Sequence, residues 1–278
     1  MTIAHLDDRA VVRVVGPDAA ALLHNVLTLD MGRMQEAGIG YGALLTPQGK
    51  ILWDFLLHRI EDGFAVDIRK GEEEAFAKRL SLYRLRAKVD IAAAPELGVQ
   101  VEWRFSSDGP ADPRVPELGA RWVAPVAELG SETDSGSWHR HRIALAVPEG
   151  GIDFPFGDTF PHDAAMDSLN GVDFGKGCYV GQEVVSRMRH RGTARRRIVA
   201  IEANGVLPEP GAEIVAGERP LGRLGSSAGG KAIGLVRLDR LRSALDEGVP
   251  VRAGAEEIDV ALPSWATYGW PATVAGEE

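Results

Sequence analysis

Lys176-Gly177-Cys178-Tyr179-Val180-Gly181-Gln182-Glu183 carries the only cysteine of the 278-residue chain and runs into an arginine-rich segment. Gly175 and Gly177 give the backbone freedom around Lys176 that a tight loop needs. A helix expected over Val180 to Met188 puts Cys178 at or just before its N-terminus. There, free backbone N–H groups and the neighbouring Lys176 cation both favour a thiolate. Such a thiol can serve as a nucleophile, a redox sensor or a single metal ligand. Against this, free cysteine is among the most buried residue types, and no sequence-adjacent histidine completes a Cys–His pair. The residues alone leave both readings open.

One cysteine excludes an intramolecular disulfide framework, a self-contained Cys₄ or Cys₂His₂ zinc site and a private cysteine-held iron–sulfur cluster. No metal site is expected. The formal net charge of −9 and pI near 5.4 argue against a general nucleic-acid coat protein, although a local basic patch is compatible with them. The segment Met1 to Asp8 lacks the basic and apolar regions of a signal peptide and is acidic where a mitochondrial presequence is rich in arginine. No stretch approaches the ~18 apolar residues of a membrane span. These features lead to the expectation of a reducing cytoplasm and no membrane contact.

Outward from the octapeptide, the chain reads as alternating strands and helices. Residues 9–15 form a β-branched run, followed by Gly16-Pro17-Asp18 and a helical pattern to Leu27 with Asp18 as its cap. Thr46-Pro47-Gln48-Gly49-Lys50 sits between two apolar runs, a hairpin signature. Asp54 lies inside the second run as either a functional acid or a solvent-facing position. Phe64–Ile68 reads as a strand, Glu72–Leu82 as a helix and Ala87–Ile91 as a strand. This mixture predicts an α+β fold. Residues 95–137, with Pro110, Pro113, Pro116 and a Ser/Gly-rich end, read as a looser peripheral subdomain. In Trp138-His139-Arg140-His141-Arg142-Ile143 the two histidines at i, i+2 could share one face of a strand and bind a metal, but with no third clustered ligand nearby they are read as surface or core residues. Six arginines fall between Arg187 and Arg197, a local anion-binding surface or a solvated basic face. Short, evenly spaced strands from Ile198 to Leu262 predict a small closing β-barrel. Gly225 to Ala232 nearly spells a phosphate-binding loop. Ala232 stands where Ser or Thr must reach Mg²⁺, however, and a strand follows, so that reading is rejected.

The octapeptide resembles the signature of the YgfZ-type folate-binding proteins, the iron–sulfur cluster assembly and repair relatives of the glycine-cleavage T-protein, an aminomethyltransferase. Weaker similarities span nearly the whole chain. They include Gly16-Pro17-Asp18 with Leu22–Asn25, Leu45 to Leu52, Tyr83 to Val89, Phe160-Pro161-His162-Asp163-Ala164 and Gly222 to Arg237. The resemblance implies an aminomethyltransferase-like region of sheet and helix subdomains around a central opening, over residues 1–192. A C-terminal β-barrel over 193–278 would follow. It implies tetrahydrofolate as cofactor and iron–sulfur client or assembly proteins as partners, with possible tRNA contact through Arg187–Arg197. Cys178 becomes the functional thiol, with Lys176 promoting its ionisation, and in the transferase alternative Asp54 is the catalytic, proton-handling group. Trp138 would stack on the pterin, and Asp54, Tyr179, Gln182, Glu183 and Arg187 would complete the folate site. Departures accompany the likeness. Arg9 stands where the family has a second tryptophan, Trp53-Asp54 replaces the paired aspartates of the transferases, and Ala144 replaces another acid. Loss of these carboxylates should weaken aminomethyl transfer. The expectation is therefore an accessory factor, with a tetrahydrofolate-dependent one-carbon transferase and a tRNA-modification accessory protein as alternatives.

Overall fold

A computed structural model describes residues 2–104, 109–192 and 194–271. In chain order the first half contains β1 (Thr2–His5), β2 (Arg9–Val15), α1 (Ala19–Val26), α2 (Met31–Ala37), β3 (Ile39–Leu45), β4 (Ile51–Ile60), β5 (Gly63–Arg69), α3 (Glu73–Arg84), β6 (Asp90–Ala93), β7 (Leu97–Trp103), β8 (Ala120–Pro125) and α4 (Ser135–Ala144). After a long irregular stretch come α5 (Gln182–Arg191), β9 (Arg196–Glu202), β10 (Glu213–Ala216), β11 (Arg219–Ala228), β12 (Lys231–Arg237), α6 (Leu238–Asp246), β13 (Val251–Ala253), β14 (Glu256–Glu257) and β15 (Asp259–Ala261).

The five-stranded sheet, in order β3-β4-β5-β2-β6, is antiparallel and buried on both faces. Strand side chains alternate between faces, and the sequence exploits this on each strand. Val12, Val14, Leu44, Phe55 and Leu57 join Leu23, Phe76 and Leu80 from α1 and α3 in one core. Val11, Ala43, Leu45 and Leu56 enter a second core with Val99, Val101, Trp103, Trp138 and Met166. The second core is completed by a three-stranded sheet, β1-β7-β8. The stretch 95–137 thus supplies β7, which pairs with the N-terminal strand β1 (Thr2 opposite Trp103), and β8, which pairs with β7 (Leu97 opposite Pro125), so these strands are knitted into the body rather than looped out from it.

The seven-stranded sheet runs β14-β13-β10-β11-β12-β9-β15. Its two edge strands are separated by a single residue, Ile258, so the sheet has to curl until its ends nearly meet. That is the near-closed barrel, with Val199, Ile201, Ile214, Leu224 and Val236 inside and α6 contributing Leu238 and Leu241 to the same core. Ile198, Ile233 and Leu235 point the other way, into the core shared with the first half. The rejected phosphate-loop lookalike forms the β11–β12 hairpin, with Gly229 and Gly230 at positive φ in its turn, as two-residue hairpins require.

Buried polar contacts tie the barrel to the first half, and one of them, a latch, centres on Asp153. Asp153 accepts from Arg142 at 2.8 Å and from the Ser226 amide at 2.6 Å, and Arg142 also donates to the Ser226 hydroxyl at 2.9 Å. All three residues are buried. The arginine belongs to α4, so His139 and His141 lie on a helix and not on the shared strand face considered for them. Asp134 accepts from the Ser137 amide at 2.8 Å and caps a helix there.

Candidate functional site

The octapeptide is held at two points. Lys176 turns inward, and its ammonium donates to the carbonyls of His24, Leu27 (2.6 Å) and Leu29 (3.0 Å), where α1 gives way to α2. Burial draws its pKa down to about 8, with Asp30 and Asp173 pulling the other way, so the ammonium persists at neutral pH and satisfies three carbonyls at once. Lys176 is therefore committed to those oxygens, and the role expected for it, promoting ionisation at Cys178, has to compete with this engagement. The second hold is Gly181, at φ +82°. A Cβ there would sit 2.6 Å from the Thr46 carbonyl oxygen and 2.9 Å from the Gly49 Cα. The motif thus closes against the Thr46–Lys50 hairpin turn, backbone to backbone, and α5 starts one residue later at Gln182. Between the two holds, Cys178 is exposed to solvent. The reading of the cysteine as a buried apolar filler does not hold.

Beside the motif lies a cavity of about 630 Å³. Met34 and Arg33 of α2 form one wall, Tyr41 of β3 another, and Asn170, Asp173, Phe174 and Gly175 lead from it to the motif; Arg189 of α5 closes it. Buried Thr28 fastens these walls together. Its hydroxyl donates to the Gly171 carbonyl and accepts from the Ala43 amide, and its carbonyl accepts from the Asp173 amide. Asp173 takes the Gly175 and Lys176 amides and pairs with Arg33 at 3.0 Å. Arg189 lies over the Phe174 ring, 4.1 Å from its centroid. The cavity therefore combines two aromatic walls, two guanidiniums and several fixed acceptors.

Asp54 lies behind this wall. It is buried, and it accepts from the Tyr41 hydroxyl at 3.0 Å. Burial raises its pKa, while Arg9 and the Tyr41 hydrogen bond oppose the rise. Asp54 therefore reaches the cavity through Tyr41, and the solvent-facing strand position it was weighed against is excluded.

Trp138 is placed differently from its expected role. It has no exposed surface, and its neighbours are Trp103 at 5.6 Å, edge to face, and His141 at 5.9 Å. A ring sealed on these sides offers no face to a pterin, so Trp138 is a core residue. Gln182, Glu183 and Arg187 sit on the first two turns of α5 and are not among the cavity's lining residues; Glu183 and Arg187 pair with each other at 2.6 Å on the surface. Tyr179 is buried, with the Lys176 ammonium 5.1 Å from its ring centre, and burial pushes its hydroxyl up to about 12. The arginine patch divides as well. Arg196 binds Asp158 and Asp163, and Arg197 binds Asp167 and the His162 carbonyl, so both are structural. Arg187, Arg189, Arg191 and Arg195 remain exposed.

Several organising residues escaped the sequence. Arg9, where the family has a tryptophan, bonds Asp67 at 2.7 Å, and Arg121 bonds the same carboxylate at 2.6 Å. Although burial pushes Asp67 upward, Arg121, Arg9 and His58 bring its pKa well below the usual carboxylate range. Glu149 is likewise held low, against burial, by Arg142 and Arg9. Asp8, His139 and Glu149 lie close enough together to be a candidate metal triad. However, His139 Nδ1 accepts from Arg142 at 3.0 Å and Nε2 faces Asp8 at 2.8 Å, so both ring nitrogens already have protein partners.

Comparison with known proteins accounts for this architecture. Residues 195–268 match the family described as CAF17, C-terminal beta-barrel domain. The crystal structure of the glycine cleavage system aminomethyltransferase T from Bartonella henselae superposes with a TM-score of 0.67 over 95% of this chain and 85% of that one, at 16% identity, which establishes a shared fold. The human mitochondrial iron–sulfur cluster assembly factor IBA57 is 30% identical, over 96% of this chain and 84% of its own length. The chain belongs to the IBA57 family. The mouse IBA57 protein is also 30% identical, over 88% of the chain and 80% of its own length. The resemblance read from the octapeptide, to iron–sulfur assembly relatives of the T-protein, is thus borne out, as is the α+β fold with its closing barrel. The expected cytoplasmic location is not: these IBA57 relatives are mitochondrial proteins. Among the described residues, no helix is long and apolar enough to cross a membrane.

Proposed function

We propose that this chain is an assembly or repair factor for iron–sulfur proteins that binds tetrahydrofolate in the cavity beside the motif and works through the Cys178 thiol. The observation that carries the reading is the presentation of the cysteine. Its sulfur is exposed, yet its loop is pinned by the buried Lys176 on one side and by Gly181 on the other. A structural cysteine would be expected to be buried, and a chance surface cysteine would not need two anchors. The names of the IBA57 relatives support the iron–sulfur part, and iron–sulfur client or assembly proteins are the partners this implies.

The cavity suits a folate on chemical grounds. Its volume falls within the ~300–1,000 Å³ of small-molecule sites. Phe174 offers surface for a flat heterocycle, with the almost fully buried Tyr41 and Met34 forming the wall behind it. Asn170 and Asp30 offer polar partners, and Arg33 and Arg189 suit a carboxylate tail. When bound, tetrahydrofolate supplies a reduced pterin able to carry one-carbon units. The transferase alternative has one observation in its favour, namely that Asp54, its pKa raised by burial, is hydrogen-bonded to a cavity-wall residue.

The deciding experiment is complementation of a strain lacking this protein. A Cys178→Ala copy should leave [4Fe–4S] enzyme activities as low as no copy, and full rescue would remove the thiol from the function. Calorimetry with tetrahydrofolate should show saturable binding that Arg33→Ala and Tyr41→Ala each weaken. Turnover of a methylamine donor that is abolished by Asp54→Asn would instead support the transferase reading.

A further inference from the structure

A second, smaller chamber of about 270 Å³ adjoins the first, and Phe174 and Arg189 line both. Its other walls include His162, Asp167, Met188 and Arg197. His162 is 3% exposed, and neither ring nitrogen has a hydrogen-bond partner among the described residues. Buried polar groups are nearly always satisfied, so a buried imidazole on a cavity wall with both nitrogens unpaired points to an occupant. Burial keeps the ring neutral near pH 7, with Arg197 and Arg189 acting in the same direction and Asp167 opposing. A neutral ring offers one N–H donor and one acceptor.

The charges facing the chamber set the class of occupant. Arg197 is already neutralised by Asp167, at 2.8 and 3.0 Å. Arg189 makes its contact with the Phe174 ring and has no carboxylate partner among the described residues. One cation is therefore uncompensated beside an N–H donor, the combination that receives a single anionic oxygen pair. The C-terminal carbonyls of α5 oppose an anion, but the Gly192 amide already caps those of Met188 and Arg189. Phe174, Met188 and Ala194 give the chamber an apolar side, which disfavours strongly hydrated inorganic ions and suits a hydrocarbon body. We propose that the His162 chamber is a carboxylate-binding subsite, taking either a small organic acid or the carboxylate arm of a ligand seated in the larger cavity. The second source rests on the folate reading above.

The test has two arms on the full-length protein. In the first, propionate is titrated while the ring resonances of His162 are followed by NMR, identified by their loss in His162→Gln. A saturable shift is expected, with the ring's titration moving to higher pH when propionate is bound. Arg189→Gln, a change on an exposed side chain, should weaken the effect about tenfold or more while leaving Tm unchanged. In the second arm, binding of folic acid is compared with that of pteroic acid, which lacks the glutamate. If the arm of a larger ligand is the source, folic acid binds about tenfold tighter and the advantage vanishes in Arg189→Gln. The subsite is overturned if His162 ignores propionate and folic acid gains nothing over pteroic acid, which leaves ordered water as the occupant. It is equally overturned if Arg189→Gln changes neither arm. A propionate response with no binding of either pterin keeps the subsite and removes the folate reading instead.

Discussion

The ammonium of Lys176 donates to the carbonyl of Leu27 at 2.6 Å, across 149 positions of sequence. With the His24 and Leu29 carbonyls it makes the thiol loop an extension of the α1–α2 corner. Lys176→Met keeps the aliphatic stem but leaves three carbonyls without their donor. A loss of about 2–4 kcal/mol is expected in urea denaturation, together with faster alkylation of Cys178 as the loop loosens. Unchanged stability would mean that the three bonds are replaced by water at no cost.

Cys178→Ala should behave in the opposite way. The side chain is exposed, so stability should change by no more than about 0.5 kcal/mol, and in the native wild type one thiol should react with a disulfide reagent without denaturant. A large drop in Tm for this variant would show that the cysteine is packed rather than presented.

Gly181→Ala tests the second anchor. A methyl group at φ +82° would press on the Thr46 carbonyl and the Gly49 backbone, neither of which can rotate away. Destabilisation of about 2 kcal/mol or more is expected. An equally stable variant would mean that the hairpin turn and the motif part easily.

Asp67 sets a pH dependence. Burial pushes its folded pKa up, but Arg121 and Arg9 outweigh burial and hold it well below the ordinary carboxylate range. The unfolded chain therefore binds the proton first as pH falls, so the contribution of Asp67 is complete above about pH 4 and is lost below it. Stability should fall steeply with acid in the wild type. Asp67→Asn should cost about 3–5 kcal/mol at pH 7, by leaving two buried guanidiniums uncompensated, and should flatten the acid limb. An acid limb of the same slope in the variant would shift the assignment to Glu149.

The latch between the halves gives a separable readout. Asp153→Ala removes the acceptor shared by Arg142 and the Ser226 amide. Proteolysis should then release the barrel, residues 195–268, more readily than in the wild type. Global unfolding without earlier cleavage would show that the Arg196 and Arg197 ion pairs and the packing of Ile198, Ile233 and Leu235 hold the halves together without it.

Much of the fold was legible because period-two alternation and turn chemistry are local signals. The hairpin at Thr46–Lys50, strand β5, helix α3 and the barrel strands β9 to β12 all announce themselves that way. Other elements depend on partners far along the chain. Strand β1 is four residues long and exists because β7 lies opposite it, about a hundred positions away. Helix α2, which sequence reading passed over, has seven residues and depends on Asp30 bonding the Arg33 amide and on Gly38 at φ +80°. In Trp138 to Ile143 buried Arg142 breaks the apolar stripe of α4, so no helical pattern shows; the arginine is inside because Asp153, the Ser226 hydroxyl and the Val147 carbonyl meet it there. The site divided in the same way. The octapeptide was visible as a motif, whereas Tyr41, Thr28 and His162 matter for what surrounds them, and nothing in their own neighbourhood of sequence marks them.

The two anchors of the octapeptide have a consequence for the order of events in making this protein. Lys176 needs the α1–α2 corner already shaped to receive it, and Gly181 needs the turn at residues 46–50 already closed. The sulfur is thus presented at the surface in this way only by molecules whose first fifty residues have come together correctly. Its presentation is in effect a report on the completion of the opposite end of the chain.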